Sequence, residues 1–272
     1  MIAFPNCKIN LGLYIENKRS DGFHNIKTVF YPIELTDVLE IIESDTSHFV
    51  MSMSGIPVNG DFRSNLCYKA YSLLKNDFSL PAIKIHLHKA IPHGAGLGGG
   101  SSDAAFTIKM LNNKFNLNLN IKQMQQYASK LGSDCSFFIE NKTVIAKEKG
   151  YVFENIEISL NDYHIIIAKP NIGVSTPDAY KWIKPRNEEI DIMSIIKQPI
   201  EHWKDILIND FEESVFKKHP IIASIKELLY KNGAIYAAMS GSGAAVFGIF
   251  KEIPQNLKLP DGSFCWGKLM HP

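Results

Sequence analysis

The densest glycine segment of this 272-residue chain reads Pro92-His93-Gly94-Ala95-Gly96-Leu97-Gly98-Gly99-Gly100-Ser101-Ser102. Five of the seven residues from position 94 to position 100 are glycine, so few side chains shield the backbone N–H groups. Glycine also reaches positive φ angles, which allow successive amides to converge on one ligand. The segment is therefore predicted to bind an anion, and phosphate is the ligand that suits such a loop.

The residues on either side of the glycine segment predict a strand before it and a helix after it. Ile83, Ile85 and Leu87 alternate with polar residues, as in a half-buried strand. Apolar residues recur at helical spacing between positions 104 and 111, and the Ser-Ser-Asp run at 101–103 is typical of helix N-caps. Such a helix would place unpaired amides and its positive dipole end beside the loop, where an anion is stabilised.

Spacing separates this loop from three other phosphate-binding motifs. Gly94, Gly96 and Gly99 satisfy G-x-G-x-x-G, but residues 114–124 contain no acidic residue to hold the ribose of a dinucleotide. A Walker loop requires Gly-Lys-Ser/Thr, which does not occur here. The H-R-D and D-F-G elements of protein kinases are also missing from the sequence. A flexible glycine linker is the remaining alternative to a phosphate loop.

Length and composition are consistent with a metabolic enzyme. The chain is 45% hydrophobic, and its net charge of +1 gives no reason to expect nucleic acid as a partner. No apolar run approaches the roughly 18 residues of a membrane helix, and no signal peptide is predicted. The cysteines are far apart, form no C-x-x-C pair, and predict reduced thiols in a cytoplasmic protein. They are Cys7, Cys67, Cys135 and Cys265.

The pattern of the whole chain indicates an α+β protein with two layers in each domain. We predict a domain boundary near 150–160, which gives domains of residues 1–155 and 156–272. Strands are predicted at 9–15, 28–33, 83–87, 143–146, 163–168 and 245–250. Helices are predicted from position 104, over 121–131 and over 221–229.

Four further motifs accompany the glycine segment. They are Pro5-Asn6-Cys7-Lys8-Ile9-Asn10-Leu11, Arg19-Ser20-Asp21-Gly22-Phe23-His24, Gly132-Ser133-Asp134 and Met239-Ser240-Gly241-Ser242-Gly243. With them, the chain resembles the galactokinase, homoserine, mevalonate and phosphomevalonate kinase superfamily, the GHMP kinases, over residues 5–243. The resemblance implies an N-terminal ATP-binding domain and a smaller C-terminal α/β domain, with the active site in the cleft between them.

The Arg-x-Asp-Gly-aromatic-His run is similar to the branch of the superfamily that phosphorylates a cytidine-diphosphate-linked methylerythritol. That resemblance implies transfer of the ATP γ-phosphoryl group to the 2-hydroxyl of the methylerythritol moiety, in non-mevalonate isoprenoid precursor biosynthesis. It implies ATP and Mg²⁺ as cofactors, without assigned protein ligands to the metal. It also implies a small-molecule substrate, no nucleic-acid or membrane partner, and a monomer or homodimer. The predicted cofactor-binding residues are Pro92, His93, Gly94, Ala95, Gly96, Leu97, Gly98, Gly99, Gly100, Ser101 and Ser102.

The resemblance places the catalytic pair at Asp134 and Lys8. A carboxylate at Asp134 would accept the proton of the attacking hydroxyl. An ammonium at Lys8 would keep that carboxylate ionised and stabilise the transferring phosphoryl charge. Without the resemblance, Asp134 would also fit an N-cap or turn residue. Lys8 would likewise fit a strand lysine whose ammonium group lies in water.

Substrate recognition is predicted at aromatic and small polar positions. The resemblance puts Phe23 and Tyr180 on the two faces of the cytosine ring and His24 at its edge, and aromatic faces stack on bases favourably. Phenylalanine stands at 23 where tyrosine is common in the family. The other predicted substrate-binding residues are Asn10, Thr176, Ser240, Gly241 and Ser242. The Ser-Gly-Ser-Gly run at 240–243 also fits a tight turn between two strands.

Two other functions fit parts of the pattern. One is a GHMP kinase acting on mevalonate, phosphomevalonate or homoserine, which would have no need for a cytosine site. The other is a nucleotide-binding protein that kept the fold and lost the chemistry. The presence of both Lys8 and Asp134 speaks against the second.

Overall fold

The computed structural model describes residues 1–58, 60–186 and 190–270, and these form a mixed α and β structure. Its strands are β1 (Ile2–Ala3), β2 (Asn6–Lys18), β3 (His24–Thr36), β4 (Val38–Glu43), β5 (Val50–Gly55), β6 (Ile83–Lys89), β7 (Val144–Glu148), β8 (Val152–Asn155), β9 (His164–Lys169), β10 (Tyr236–Met239), β11 (Val246–Phe250) and β12 (Phe264–Leu269). Its α-helices are α1 (Leu66–Asp77), α2 (Gly99–Lys114), α3 (Ile121–Ser129), α4 (Phe137–Glu140), α5 (Thr176–Lys181), α6 (Ile192–Ile196), α7 (Phe211–Lys218) and α8 (Pro220–Lys231). Short 3₁₀ turns occur at Phe62–Ser64, Ser133–Cys135 and Ile200–His202.

The first of two compact units comprises residues 1–8, 32–93 and 98–142. Its sheet has the order β1-β4-β6-β5, in which β5 runs parallel to β6 and the other pairs are antiparallel. On β6, Ile83, Ile85 and Leu87 are buried as their alternation predicted. Helices α1 to α4 belong to the same unit, and α1 packs along α2.

Helix α2 forms because its apolar residues share one face. Ala104, Ala105, Ile108 and Leu111 are fully buried, and their spacing of three or four residues is that of a helix packed on a core. Burying side chains as large as Ile108 and Leu111 stabilises the fold by about 2 kcal/mol each. This face fixes the orientation of the helix whose N-terminus lies within the glycine segment.

The second unit comprises residues 9–31, 94–97 and 143–270 of the described chain. One of its sheets is antiparallel with the order β10-β11-β9-β12, and α8 covers it through Ile222, Ile225 and Leu229. Another sheet has the strand order β2-β3-β7-β8. The first residues of β2 and the last residues of β3 belong to the first unit. The unit is therefore assembled from three stretches of chain.

The predicted elements occur in the predicted order. The strands at 9–15, 28–33 and 83–87 lie within β2, β3 and β6, and the helix at 221–229 lies within α8. Segments of the two units alternate along the chain, so contacts alone set no single dividing point. The domains 1–155 and 156–272 stay a prediction.

Candidate active site

The glycine segment leads directly into α2. Gly94, Gly96 and Gly98 all have positive φ, at 59°, 74° and 72°, which is the backbone freedom expected of this segment. The helix begins at Gly99, with Gly98 as its N-cap. The prediction that residues 101–103 occupy N-cap positions is therefore wrong. Ser101, Ser102 and Asp103 lie inside the first turns of the helix, and Gly98 holds the N-cap position without a side-chain hydrogen bond.

The start of α2 carries an unsatisfied polar group. The Ser102 hydroxyl is fully buried, and no described residue gives it a hydrogen bond. Buried hydroxyls are nearly always paired, and the first amides of a helix have no partner within the helix. The neighbouring Ser101 hydroxyl hydrogen-bonds to the thiol of Cys135, whose pKa burial raises to about 12. Ser102 and the helix start could therefore hold an oxygen-rich anion or its metal ion.

The two predicted catalytic side chains lie together in the first unit. Lys8 Nζ lies 3.6 Å from Asp134 Oδ2. The lysine side chain is 3% exposed, whereas that of Asp134 is 29% exposed. Burial lowers the pKa of Lys8, and the charge of Asp134 opposes that effect. The alternative of a strand lysine with its head in water does not hold. Asp134 lies within a 3₁₀ turn, which agrees with the turn alternative and not with a helix N-cap.

Gly98 permits close packing beside Lys8. A Cβ built on Gly98 would lie 3.0 Å from the ring of Phe138 and 3.4 Å from Cε of Lys8. Its φ of 72° also disfavours any residue with a side chain. The start of α2 and the Lys8 side chain are therefore near neighbours within this unit.

A buried charge cluster fixes both ends of the segment that precedes α2. Lys89 Nζ donates to Asp103 Oδ2 at 2.7 Å and also to Asp37 Oδ2. Asp37 Oδ1 accepts the N–H groups of Ala90 at 2.6 Å and of Ile91 at 2.8 Å. All three charged side chains are at most 5% exposed. Removing one partner of such a group typically costs about 3–5 kcal/mol, so the cluster holds β6 to α2 firmly.

The charge cluster predicts a pH-dependent stability. Burial raises the pKa of Asp103 to about 7 from 3.8, although the charge of Lys89 opposes the rise. The folded protein therefore holds this proton more tightly than the unfolded chain does. The contribution of Asp103 to the free energy of unfolding is present below about pH 4 and is lost as the pH rises towards 7.

Thermal melts of wild type and Asp103→Asn at about pH 5 and pH 8 measure this effect. Asparagine does not titrate, so the difference in melting temperature should shift in favour of the variant at the higher pH. An equal difference at both pH values would show that Asp103 does not titrate in this range.

In the second unit, the first half of the glycine segment docks on the turn after β10. Ser240 Oγ donates to the Gly96 carbonyl at 2.9 Å, and the Ala245 N–H donates to the Ala95 carbonyl at 3.1 Å. A Cβ on Gly96 would overlap the Ser240 carbonyl oxygen and lie 2.7 Å from its carbon. The 240–243 run is thus a glycine turn between strands, and it also packs against the loop.

Asn10 joins the same cluster of polar groups. Its Nδ2 donates to Thr28 Oγ1 at 2.9 Å, and its Oδ1 accepts from Ser240 Oγ at 3.4 Å. The Thr28 hydroxyl in turn donates to the Gly12 carbonyl at 2.5 Å. Asn10 is 1% exposed, so these bonds fix its orientation.

The predicted cytosine-binding residues divide into two groups. The rings of His24 and Tyr180 stack with centroids 5.1 Å apart and planes 17° from parallel, and Phe211 meets Tyr180 edge-on. Burial lowers the pKa of His24, with the charge of Lys18 adding to the effect. Phe23 is 59% exposed, and its ring lies beneath the ammonium group of Lys149 rather than in a core.

Thr176 and Ser242 form a further contact in the second unit, with their hydroxyl oxygens 2.9 Å apart. Thr176 opens α5 just after its N-cap, Ser175, and Pro177 follows it in the first turn. This contact brings together two of the predicted substrate-binding residues, which are 66 positions apart in sequence.

The structure divides the predicted residues between its units. Lys8, Pro92, His93, Gly98, Gly99, Gly100, Ser101, Ser102 and Asp134 belong to the first unit. Asn10, Phe23, His24, Gly94, Ala95, Gly96, Leu97, Thr176, Tyr180, Ser240, Gly241 and Ser242 belong to the second. Their individual roles stay predictions.

Two buried polar residues near the predicted site, Lys89 and Asn209, were not predicted from the sequence. Lys89 shares the buried face of β6 with Ile85 and Leu87, and a lysine at an inward strand position was the available signal. Asn209 is 2% exposed and donates to the carbonyls of Met239 and Gly241. The sequence around Asn209 contains no signal for this role, because both acceptors lie at least 30 residues away.

Across residues 1–58, 60–186 and 190–270, no group of three or more His, Cys, Asp or Glu side chains could hold a metal ion. Within the same residues, no helix has both the length and the apolar character to cross a membrane.

Family models match both halves of the chain. Residues 65–141 match the GHMP kinases N terminal domain, and residues 196–258 match the GHMP kinases C terminal domain. The first match includes the glycine segment and Asp134, and the second includes the 239–243 turn. The predicted fold class is confirmed.

Curated relatives and solved structures indicate which member of the GHMP kinases this chain resembles. A 4-diphosphocytidyl-2-C-methyl-D-erythritol kinase of Bacteroides fragilis is 49% identical, with 98% of each chain covered. That of Cytophaga hutchinsonii is 52% identical, with 94% of each chain covered. A crystal structure of 4-(cytidine 5'-diphospho)-2C-methyl-D-erythritol kinase superposes with a TM-score of 0.78 at 27% identity, covering 92% of this chain and 90% of the other.

A more distant structure shares the fold alone. The mevalonate kinase of Methanococcus jannaschii superposes with a TM-score of 0.70 at 16% identity, covering 100% of this chain and 98% of the other. The sequence relatives match at about three times that identity over nearly the full length. This chain belongs to the 4-diphosphocytidyl-2-C-methyl-D-erythritol kinase family of the GHMP kinases.

Proposed function

We propose that this protein transfers the γ-phosphoryl group of ATP to the 2-hydroxyl of 4-diphosphocytidyl-2-C-methyl-D-erythritol, giving the 2-phosphate and ADP. The observation that carries the proposal is the Lys8 and Asp134 pair, with Nζ and Oδ2 3.6 Å apart and Lys8 close to Gly98, the N-cap of α2. The family relatives named for this activity support the choice of substrate. The reaction belongs to non-mevalonate isoprenoid precursor biosynthesis.

In the proposed reaction, Asp134 is the general base. Its carboxylate accepts the proton of the 2-hydroxyl as that oxygen bonds to the γ-phosphorus, while the bond from phosphorus to the bridging oxygen breaks and ADP leaves. The 29% exposure of its side chain leaves the carboxylate accessible to a substrate. Lys8 stabilises the negative charge of Asp134 before the transfer and the phosphoryl charge during it.

The glycine segment and the start of α2 are proposed to bind the ATP phosphates. Three positive-φ glycines and the unpaired amides of the first turn supply N–H donors for phosphate oxygens. Mg²⁺, when bound with ATP, would neutralise part of the phosphate charge. The buried Ser102 hydroxyl, which lacks a described partner, is a suitable oxygen donor for the metal or a phosphate.

Tyr180 is proposed to stack on the cytosine ring, so Tyr180→Ala should raise KM for the cytidyl substrate about fivefold or more. A base stacked on an aromatic face gains about 1–3 kcal/mol, which corresponds to a factor of about 5 to 150. KM for ATP should change by less than about twofold. Initial rates with each substrate varied in turn measure both constants.

Tyr163→Phe is a matched control, since it alters a tyrosine that has no proposed role in substrate binding. It should leave both constants unchanged. Equal increases in both KM values for Tyr180→Ala would indicate general damage to the fold and would remove Tyr180 from the cytosine site.

The proposed reaction is tested by the position of the phosphate in the product. Incubation with Mg-ATP and 4-diphosphocytidyl-2-C-methyl-D-erythritol should yield one new phosphate monoester, which phosphorus and proton NMR would locate on the carbon that bears the 2-hydroxyl. A monoester on another carbon would contradict the assigned acceptor. ATP hydrolysis without a monoester would contradict the transfer itself.

We further propose that the protein acts in the cytoplasm on this small molecule, as a monomer or homodimer. The cysteines of the described chain support a reducing compartment, because Cys7, Cys67, Cys135 and Cys265 are all free thiols.

A further inference from the structure

We propose that Asn209 is a positioning residue for the reaction, because its side chain fixes the Met239–Gly241 segment on which the glycine loop docks. This inference rests on the proposed function and adds to it a residue without direct contact with either substrate. Asn209, the Met239–Gly241 segment and Gly96 all belong to the second unit.

The side-chain amide of Asn209 is buried, and both its nitrogen and its oxygen form hydrogen bonds. Its Nδ2 donates to the Met239 carbonyl at 2.7 Å and to the Gly241 carbonyl at 2.8 Å. Its Oδ1 accepts the Phe211 N–H at 3.0 Å. The side chain is 2% exposed, so water cannot replace these bonds readily. One side chain thereby holds the carbonyls on both sides of Ser240.

Glu212, three residues after Asn209, also bonds to Met239. Glu212 Oε1 accepts the Met239 N–H at 2.7 Å, and Glu212 Oε2 accepts from Lys226 Nζ at 2.6 Å. Burial raises the pKa of Glu212, while the charge of Lys226 opposes the rise. Both backbone polar groups of Met239 are thus bonded to side chains of the 209–212 segment.

The 209–212 segment is itself tied to β2. The Leu13 N–H donates to the Ile208 carbonyl at 2.8 Å, and the Asp210 N–H donates to the Leu13 carbonyl at 2.9 Å. Strand β2 also carries Asn10. The segment therefore sets the position of the Ser240 turn relative to the strand that bears a predicted substrate-binding residue.

A displacement of the Ser240 turn would also move the glycine segment, because the two are in direct contact. Ser240 Oγ bonds to the Gly96 carbonyl and to Asn10 Oδ1, and the Ser240 carbonyl fills the space beside Gly96. Because the packing at Gly96 leaves no room for a Cβ, a small shift of the turn must move the loop. A misplacement of about 1 Å from outside a reaction centre can lower a rate by about 100-fold.

The test is Asn209→Asp, which keeps the size and the acceptor for Phe211 but replaces the two N–H donors with a carboxylate oxygen facing two carbonyls. We expect kcat to fall at least about tenfold, with both KM values within about threefold of wild type. Hydrogen exchange of the peptide covering 239–245 should accelerate. Asn209→Ser, which removes the same donors without a buried charge, replaces Asn209→Asp if that variant does not fold.

The matched control is Tyr31→Phe, which removes another hydrogen bond of the same unit, from the Leu160 N–H to the Tyr31 hydroxyl at 3.3 Å. It should change neither kcat nor exchange at 239–245. If the Asn209 variants lose thermal stability but keep wild-type kcat in the folded protein, Asn209 is structural only and the inference fails. If wild type itself does not turn over the cytidyl substrate, the proposed function fails instead.

Discussion

Asp134→Asn should lower kcat by at least about 100-fold while ATP binding stays close to that of wild type. Asparagine has nearly the same shape but cannot take a proton from the attacking hydroxyl, and general base catalysis contributes about 10² to 10⁴ in rate. The substitution also removes the carboxylate whose Oδ2 lies 3.6 Å from the buried Lys8 ammonium. Steady-state turnover and calorimetric titration with a non-hydrolysable ATP analogue measure the two effects separately.

Asp61→Asn provides a control for the loss of a negative charge, because Asp61 is exposed and caps a short 3₁₀ turn. It should retain wild-type turnover. Turnover of Asp134→Asn within a few-fold of wild type would show that another group removes the proton. Lost ATP binding in that variant would assign Asp134 to the nucleotide site instead.

Gly96→Ala should lower kcat/KM for ATP by about 100-fold. The new methyl group would overlap the Ser240 carbonyl, so either the loop or the 239–243 turn must move. Both are backbone, and neither can yield as a flexible side chain would. A shift of about 1 Å in groups that orient reacting phosphates has an effect of this size.

Gly233→Ala separates this steric effect from backbone strain. Gly233, which lies outside the proposed binding site, also has positive φ, at 94°, but a Cβ there would meet no atom within 4 Å. It should carry only the cost of a left-handed conformation, about 1–2 kcal/mol of stability, with turnover within about threefold. Equal loss of kcat/KM in both variants would contradict the importance of the Ser240 contact.

The predictable part of the fold was local in sequence. Alternation at Ile83, Ile85 and Leu87 and helical spacing after position 104 located β6 and α2 on either side of the glycines. The start of α2 was misplaced because Ser101 and Ser102 resemble N-caps in type, whereas Gly98 holds that position. Residue type alone locates a helix boundary less reliably than it indicates that a helix is present.

The supporting contacts are distant in sequence and could not be predicted from local pattern. Lys89 reaches Asp37 across 52 positions, and Asn209 reaches Met239 across 30. Pairing of this kind depends on tertiary packing, which spacing does not encode. The resemblance named Lys8 and Asp134 correctly as neighbours, but it gave no sign that burial would lower the pKa of the lysine.

The most direct test of the proposed function is a coupled ADP-release assay of the wild-type protein with Mg-ATP. It offers 4-diphosphocytidyl-2-C-methyl-D-erythritol, mevalonate and homoserine as separate acceptors at equal concentration. We expect acceptor-dependent ADP release with the cytidyl compound and none above background with the other two. Turnover with mevalonate or homoserine, or no turnover with any acceptor, would contradict the proposed function.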